Sequence, residues 1–475
     1  MMDDAARPRA LARGGGAAAV LRPAPAGRSA ALARRAVIVA NRVPAPGGRQ
    51  PGGLAVTLRD ALTGREALWF GWSGATVAEP DPAPRVTEQG PLAIATLDLE
   101  PGAFNGYYAG FANGTLWPVL HYRLGLAKFD RHDYACYRSV NERLAHALMP
   151  LLRDDDLVWA HDFHLIPFGA ALRGFGARQR LGFYLHVPFP PPAVFSAVPW
   201  AEELLWELTA YDVIGVQTEM DRRHLSEALL EFGHEEAASR VKVYPAGIDF
   251  SAFAQQAARA AASGTVSRLV TSLGKRALIF GVDRLDYTKG LPHRFMGYGQ
   301  LLARFPRHRG RATYLQIAPL SRIEVSEYRD LKSELDELAG RVNGQYAELD
   351  WVPIRWITRP FSRPTLAGIM RAARVGLVTP LRDGMNLVAK EFVAAQDPDD
   401  PGVLVLSRFA GAAESLQDAV LVNPHDPDEL AEALDLALTM PLDQRRARWQ
   451  AMAEAVRRDS AKRWGRSFLE DLEAA

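Results

Sequence analysis

Apolar residues in this chain come in short dense runs, and most runs end abruptly in a polar residue. The first, AVIVANR (Ala36 to Arg42), is followed by PGGLAVTLRDAL, a glycine-rich turn that opens a helix. The same grammar recurs in LWFGWSG, DLVWAHD, RLGFYLHVP, DVIGVQT and RVKVYPAGI, with helical stretches such as EMDRRHLSEALLEFG (Glu219 to Gly233) between several of them. Such runs predict strands buried on both faces. Their alternation with amphipathic helices predicts parallel sheets covered by helices on either side.

A second series starts near Arg276. Its strands are RALIFGVDRL, RATYLQIAPL, PIRWITRP, RVGLVTPL, GVLVLSRF and AVLVNP, with EVSEYRDLKSELDELAGRV and DPDELAEALDLALTM as intervening helices. Two such series predict an α/β chain of two doubly wound, Rossmann-like domains, residues 36–248 and 249–441. Residues 442–475 read as one or two helices without a further strand, expected to pack back toward the first domain. Open parallel sheets bind ligands beyond the carboxyl ends of their strands. Polar residues gather there: Arg42, Asp162, His186 and Arg284, with Arg382 and Asp383 after VGLVTPL. Facing domains would bring these ends to a shared cleft.

The segment PLRDGMNLVAKEF (Pro380 to Phe392) crowds charge at the mouth of a helix. Unpaired backbone N–H groups and the helix dipole make such a mouth an anion site. Gly384 would let backbone come close to a ligand, and NLVAKE would offer the amides of a first turn. Glu391 fits either an acceptor for vicinal hydroxyls or an ion pair. In VDRLDYTKGL (Val282 to Leu291), Arg284 and Lys289 can face one anionic group or can form salt bridges to Asp283 or Asp286. The helix mouth in the same domain favours a phosphate clamp. Arg42 with Gly52 and Gly53 makes a second candidate anion site, for which a plain glycine turn is the alternative.

HDFH (His161 to His164) has neither zinc-finger nor helical metalloprotease spacing, so Asp162 reads as a hydroxyl acceptor and no metal is expected. The run Asp154–Asp156 precedes its strand and reads as a solvated turn. No G-x-G-x-x-G follows a strand, SLGKRA lacks the Ser or Thr of a P-loop, and Ala75 stands where a nucleophile elbow needs glycine.

Composition narrows the class further. The 475 residues are 48% hydrophobic and 23% charged, with a net charge of +1, which gives no argument for nucleic acid. The balance is uneven: residues 1–35 carry seven arginines against Asp3 and Asp4, or +5, leaving −4 for the remainder. That start is Arg-rich and acid-poor like a transit peptide, but its glycine and proline content favours a disordered extension. Cys136 is the single cysteine, which is compatible with a reducing cytoplasm, and no apolar run approaches the roughly 18 residues of a membrane span.

Assembled, these motifs resemble the trehalose-6-phosphate synthases, retaining glycosyltransferases of the GT-B fold. The resemblance runs from Ala36 to about Leu472. It rests on GGLAV, LWFGWSG, LWPVLHYR, HDFHLIPF, HVPFP, RLDYTKGLP, GRVNG, VGLVTPLRDGMNLVAKEFVAAQDP and GVLVLSRFAGAA. It implies two domains facing a central cleft and transfer of glucose from UDP-glucose to glucose 6-phosphate, with no cofactor. By that resemblance Arg284 and Lys289 hold the donor diphosphate with the amides of Leu387, Val388, Ala389 and Lys390. Glu391 binds the ribose, Phe361 lies by the uracil, and Asp383 and His186 bind hydroxyls of the donor glucose. On the acceptor side, Arg42, Tyr108 and Arg322 contact the 6-phosphate and Asp162 orients the sugar. Gly52 and Gly53 form the loop nearby, with Trp72 and Trp117 as lining. It further implies reaction on one face of the sugar, a cytoplasmic homo-oligomer (relatives form tetramers), and a separate phosphatase downstream.

Three other readings compete. Another sugar transferase, such as a glucosylglycerol-phosphate synthase, would share the donor motifs and differ at the acceptor positions, which match here. A non-catalytic sugar-phosphate binder would tolerate loss of Arg284, Lys289 or Asp383, and a dehydrogenase would need the absent glycine fingerprint. UDP-, GDP- and ADP-glucose remain open as donors.

Overall fold

The computed structural model describes residues 34–43, 54–320 and 326–475. Two sheets carry the fold. The first contains β1 (Ala36–Arg42), β2 (Ala67–Thr76), β3 (Arg85–Gln89), β4 (Leu92–Leu99), β5 (Leu157–His161), β6 (Arg180–Tyr184), β7 (Val213–Val216) and β8 (Val241–Val243). The second contains β9 (Ala277–Val282), β10 (Ala312–Ile317), β11 (Ile354–Ile357), β12 (Val375–Val378), β13 (Val403–Ser407) and β14 (Val420–Val422). Their orders are β3-β4-β2-β1-β5-β6-β7-β8 and β11-β10-β9-β12-β13-β14. All pairings are parallel except β3 with β4.

This topology positions the site. Strand order reverses between β1 and β5 in the first sheet and between β9 and β12 in the second. A crevice opens at such a reversal because neighbouring connections leave on opposite faces. Arg42 and Asp162 follow the first reversal; Arg284 and Asp383 follow the second. The central strands are apolar on both faces, with β5, β12 and β13 buried throughout.

Sequence pattern alone missed β3, whose residues RVTEQ are all exposed, and its partner β4. It also missed the wide-wound π-type helix Asn105–Leu116, which carries Tyr107 and Tyr108. Glycines make that segment ambiguous by propensity. They serve packing: a Cβ on Gly106 would lie 2.6 Å from Cys136, and one on Gly110 2.3 Å from Asp133.

Three expectations need correction. Residues 1–33 of the presumed extension lie outside the described residues, but Arg34 and Arg35 belong to the folded unit. The Arg35 guanidinium donates to Asp156 Oδ1 at 2.8 Å and to the Leu151 carbonyl at 2.7 Å. Asp156 is therefore a buried ion-pair partner, unlike exposed Asp154 and Asp155. The terminal helices also part company. Leu442–Arg458 stays with the second domain, where Trp449 donates to the Val393 carbonyl at 2.9 Å and Met452 joins the core. Only Ala461–Ala474 crosses to the first sheet, stacking Phe468 on Trp159 at 4.3 Å. Among the described residues no helix is long and apolar enough to cross a membrane.

Candidate active site

The second domain supplies a cluster of paired charges. Beyond β9, Arg284 donates from Nε to Asp286 Oδ2 at 3.1 Å and lies over the Trp117 ring at 4.6 Å. A short turn, Tyr287–Lys289, is capped by Asp286 and ends at Gly290, whose φ is +66°. A side chain there would meet the Thr379 carbonyl at 2.4 Å, so the turn lies directly on the chain leaving β12. Lys289 Nζ consequently reaches Asp383 Oδ2 at 2.5 Å, where Asn386 Nδ2 also donates at 3.0 Å. Asp383 is fixed in turn by backbone bonds to Phe409 and Gly411. Asp283 turns inward to fully buried Arg294 at 2.7 Å.

The helix Leu387–Ala395 opens at Asn386, which takes φ +73° and ψ +79°. Leu387, Val388 and Glu391 line a cavity of about 500 Å³ together with Asp283, Arg284, Lys289, Asp383, Met385 and Asn386. Across it stand His186, Thr57, Gln217 and Ala246. Ala389 and Lys390 do not line it. The Ala389 amide turns back to the Asn386 carbonyl at 3.2 Å, and Lys390 sends its ammonium to the Ala246 carbonyl at 2.7 Å. Glu391 accepts from Arg363 at 2.9 Å, which opposes the upward push of burial on its carboxyl. Phe361 lies at the edge of the same domain's core under Arg359, outside the cavity lining. Gly384 does permit a close approach, but by protein. Its Cβ would lie 2.1 Å from the His186 carbonyl, so the two domains touch there.

The first domain gathers a second group. Arg42 ends β1, with its guanidinium 5.8 Å from the Trp72 ring centre. It rests in space left by Gly74, where a Cβ would sit 2.6 Å from Arg42 Nε. Trp72 meets Phe104 and Tyr108 at 5.3 and 5.9 Å, and Tyr108 stacks on His164 at 5.8 Å. His164 contacts Phe163, Phe163 contacts Trp117, and Trp117 lies under Arg284. A continuous row of rings therefore runs from the Arg42 cluster to Trp117, which lies against Arg284 at the wall of the charged cavity. Gly52, Gly53 and Arg322 lie outside the described residues.

Asp162 occupies φ +78° and ψ +164°, a conformation other than glycine rarely adopts, at a cost of roughly 1–3 kcal/mol. Its backbone is held by the bond from its amide to the Tyr184 carbonyl, and its Oδ1 accepts from the His186 amide at 3.2 Å. His186 Nε2 and His161 Nδ1 share a hydrogen bond of 2.9 Å.

Burial lowers His186 to about 3 and His121 to about 4, and it holds His161 well below the ordinary value. The unfolded chain therefore binds protons below pH 6.5 that the folded one refuses, and stability falls as pH drops from 6.5 toward 4. Each ring contributes up to about 1.4 kcal/mol per pH unit. Glu207 works the other way. Burial raises it to about 7, so the folded state takes up a proton first and acidification favours it. In Glu207→Gln, stability from urea unfolding should fall more steeply between pH 6.5 and 5 than in wild type. Asp221, which burial raises to about 6, offsets part of the fall in both proteins, so the test is the difference between them: identical slopes in wild type and Glu207→Gln would show that Glu207 is not raised in the fold.

Gln217, Gly74, Phe104, His164 and Arg363 were missed in the sequence. Gln217 ends DVIGVQ and was visible by the strand-end rule. Gly74 stands openly in GWSG, and His164 in HDFH, whose spacing draws attention only to metal binding. Nothing local marks Phe104 or Arg363.

Comparison with known proteins follows the same lines. The model of glycosyltransferase family 20 matches residues 33–474. The trehalose-6-phosphate synthase of Sinorhizobium fredii is 48% identical over 457 residues, 93% of this chain and 98% of that protein. The alpha,alpha-trehalose-phosphate synthase (UDP-forming) of Burkholderia xenovorans, crystallised in complex with glucose-6-phosphate, superposes with a TM-score of 0.88. It is 44% identical and covers 92% of this chain and 99% of its own. An E. coli structure bound with UDP-2-fluoro glucose matches equally, with TM-score 0.88, 44% identity, and 93% and 99% coverage. A family match over nearly the whole described fold, with relatives this similar from end to end, establishes that the chain belongs to glycosyltransferase family 20.

Proposed function

We propose that the protein transfers glucose from UDP-glucose to glucose 6-phosphate, giving trehalose 6-phosphate and UDP. The observation that carries this reading is the joining of two anion-receptive groups by one row of rings. Arg284, Lys289 and the helix mouth at Leu387 suit a diphosphate; Arg42, with Trp72 and Tyr108 beside it, suits a sugar phosphate. The second domain is the donor half and the first the acceptor half.

The chemistry follows from how the acids are engaged. Asp283, Asp383 and Glu391 line the cavity, and each already accepts from a cation: Arg294, Lys289 and Arg363. That disfavours an acid attacking the anomeric carbon. It supports displacement on one face. The bond from the anomeric carbon to the diphosphate oxygen breaks, the acceptor's anomeric oxygen takes its place, and its proton passes to the departing diphosphate. Arg284 and Lys289 stabilise the charge that builds on that leaving group. When the diphosphate takes Lys289, Asp383 is released to a hydroxyl of the donor glucose. Glu391 accepts from the ribose, and Asp162, held by its strained backbone, orients the acceptor. Arg322 is assigned to the acceptor phosphate beside Arg42.

This reading carries a cytoplasmic location, a homo-oligomer and a separate phosphatase acting on the product. Incubation of purified protein with UDP-, GDP- or ADP-glucose plus glucose 6-phosphate tests it. Trehalose 6-phosphate and one equivalent of UDP are expected, without inorganic phosphate. Absence of a disaccharide phosphate with every donor would refute it.

A further inference from the structure

The chain passes between its two sheets twice, after β8 and again between the two terminal helices. A Cβ on Gly247 would lie 1.7 Å from the Asp459 carbonyl, so the two passages cross backbone on backbone. The first passage is gripped from both sides. From the first domain, Gln217 Oε1 accepts from the Ala246 amide at 3.0 Å, and Thr57 Oγ1 donates to the Gly247 carbonyl at 3.4 Å. From the second, Lys390 Nζ donates to the Ala246 carbonyl at 2.7 Å.

We propose that Lys390 is a positioning residue for the transfer: its ammonium ties the interdomain passage at Ala246 to the helix that lines the donor cavity. It thereby sets the separation of the two halves of the site. Lys390 stands in the first turn of the Leu387–Ala395 helix, one residue before Glu391 and two after Val388. Any shift of that turn on donor binding is delivered to Ala246, which itself lines the cavity with Thr57 and Gln217. Lys390 is fully buried, and burial pulls its ammonium down to about 8, with Asp459 opposing and Arg458 reinforcing. Desolvating an ammonium is costly. Methionine would fill similar volume without that cost, so volume is not what Lys390 supplies.

This inference rests on the reading of the cleft as a glucosyl-transfer site. Its test is Lys390→Met, with Gln217→Leu releasing the same passage from the other side, each assayed for turnover and for UDP affinity without acceptor. The expected result is a split. The contacts assigned above to UDP (Arg284, Lys289, Glu391 and the helix mouth at Leu387) lie on the second domain, so its affinity should stay within about threefold. Meanwhile kcat should fall on the order of tenfold to a hundredfold, because small misplacements between reacting groups are expensive. The double variant should lose less than the product of the single losses, since both release one passage. Wild-type kcat in Lys390→Met, or UDP affinity falling in step with kcat, would overturn the proposal. If Lys390→Met does not fold, wild-type kcat in Gln217→Leu overturns it equally. Failure of the wild type to form trehalose 6-phosphate would instead strike the underlying reading.

Discussion

Arg284→Ala should lose on the order of a hundredfold or more in kcat while melting close to wild type. The reason is the asymmetry of its environment. The Arg284 side chain is 41% exposed, makes one ion pair, and otherwise rests on Trp117. Its removal leaves Asp286 still bonded to the Thr288 amide and hydroxyl. Little folding energy depends on it, whereas charge developing on a departing diphosphate would lose its nearest fork of donors. Arg294, ten residues on, gives the contrast. It is wholly buried and binds Asp283, Thr379 and the Lys289 carbonyl. Arg294→Ala strands a buried carboxylate and should cost about 3–5 kcal/mol of stability. Donor protection against melting separates the two effects, since a ligand stabilises only in proportion to its binding. UDP should raise the Tm of wild type and barely that of Arg284→Ala. Near wild-type kcat in Arg284→Ala would remove the clamp from the mechanism.

The contrast also explains what could be read from sequence. Strand runs and their polar ends were legible because parallel strands are buried on both faces and must become polar where they leave the sheet. Arg42, Asp162, Arg284 and Asp383 were all found that way. What a side chain touches once it leaves the strand was not legible. Arg284 and Lys289 read alike as basic residues of one turn, yet one lies on an aromatic face and the other is locked to an aspartate ninety-four positions away. Lys390 read only as a backbone amide of an anion-binding turn, and its side chain is buried and bonded to the Ala246 carbonyl. Gly384 read as room for a ligand, and the room is filled by the other domain's backbone. In each case the deciding partner comes from a distant stretch of chain. The exposed edge strand β3 and the glycine-rich helix holding Tyr108 were lost for a different reason: their composition carries no periodic signal.

Glucose should be a far poorer acceptor than glucose 6-phosphate, in kcat as well as in affinity, and Arg42→Ala should narrow that gap. Charge-assisted bonds between guanidinium and phosphate are strong and directional. A phosphate remote from the reacting hydroxyl gives binding energy that can orient that hydroxyl. Arg42 is free to serve because Gly74 and Trp72 shape its place without neutralising it. Gly74→Ala tests the shape independently. At φ +94° an added Cβ is strained and intrudes on the guanidinium, so this variant should reproduce much of the Arg42→Ala loss with Arg42 still present. Donor affinity without acceptor should not move in either variant, because both changes lie in the first domain's cluster. The decisive measurement is kcat/KM for both acceptors in wild type and both variants. Equal use of the two sugars by wild type, or an undiminished preference in Arg42→Ala, would detach Arg42 from the acceptor phosphate. Loss of Gly74→Ala activity on glucose and glucose 6-phosphate alike would mean that Gly74 holds the fold rather than the arginine.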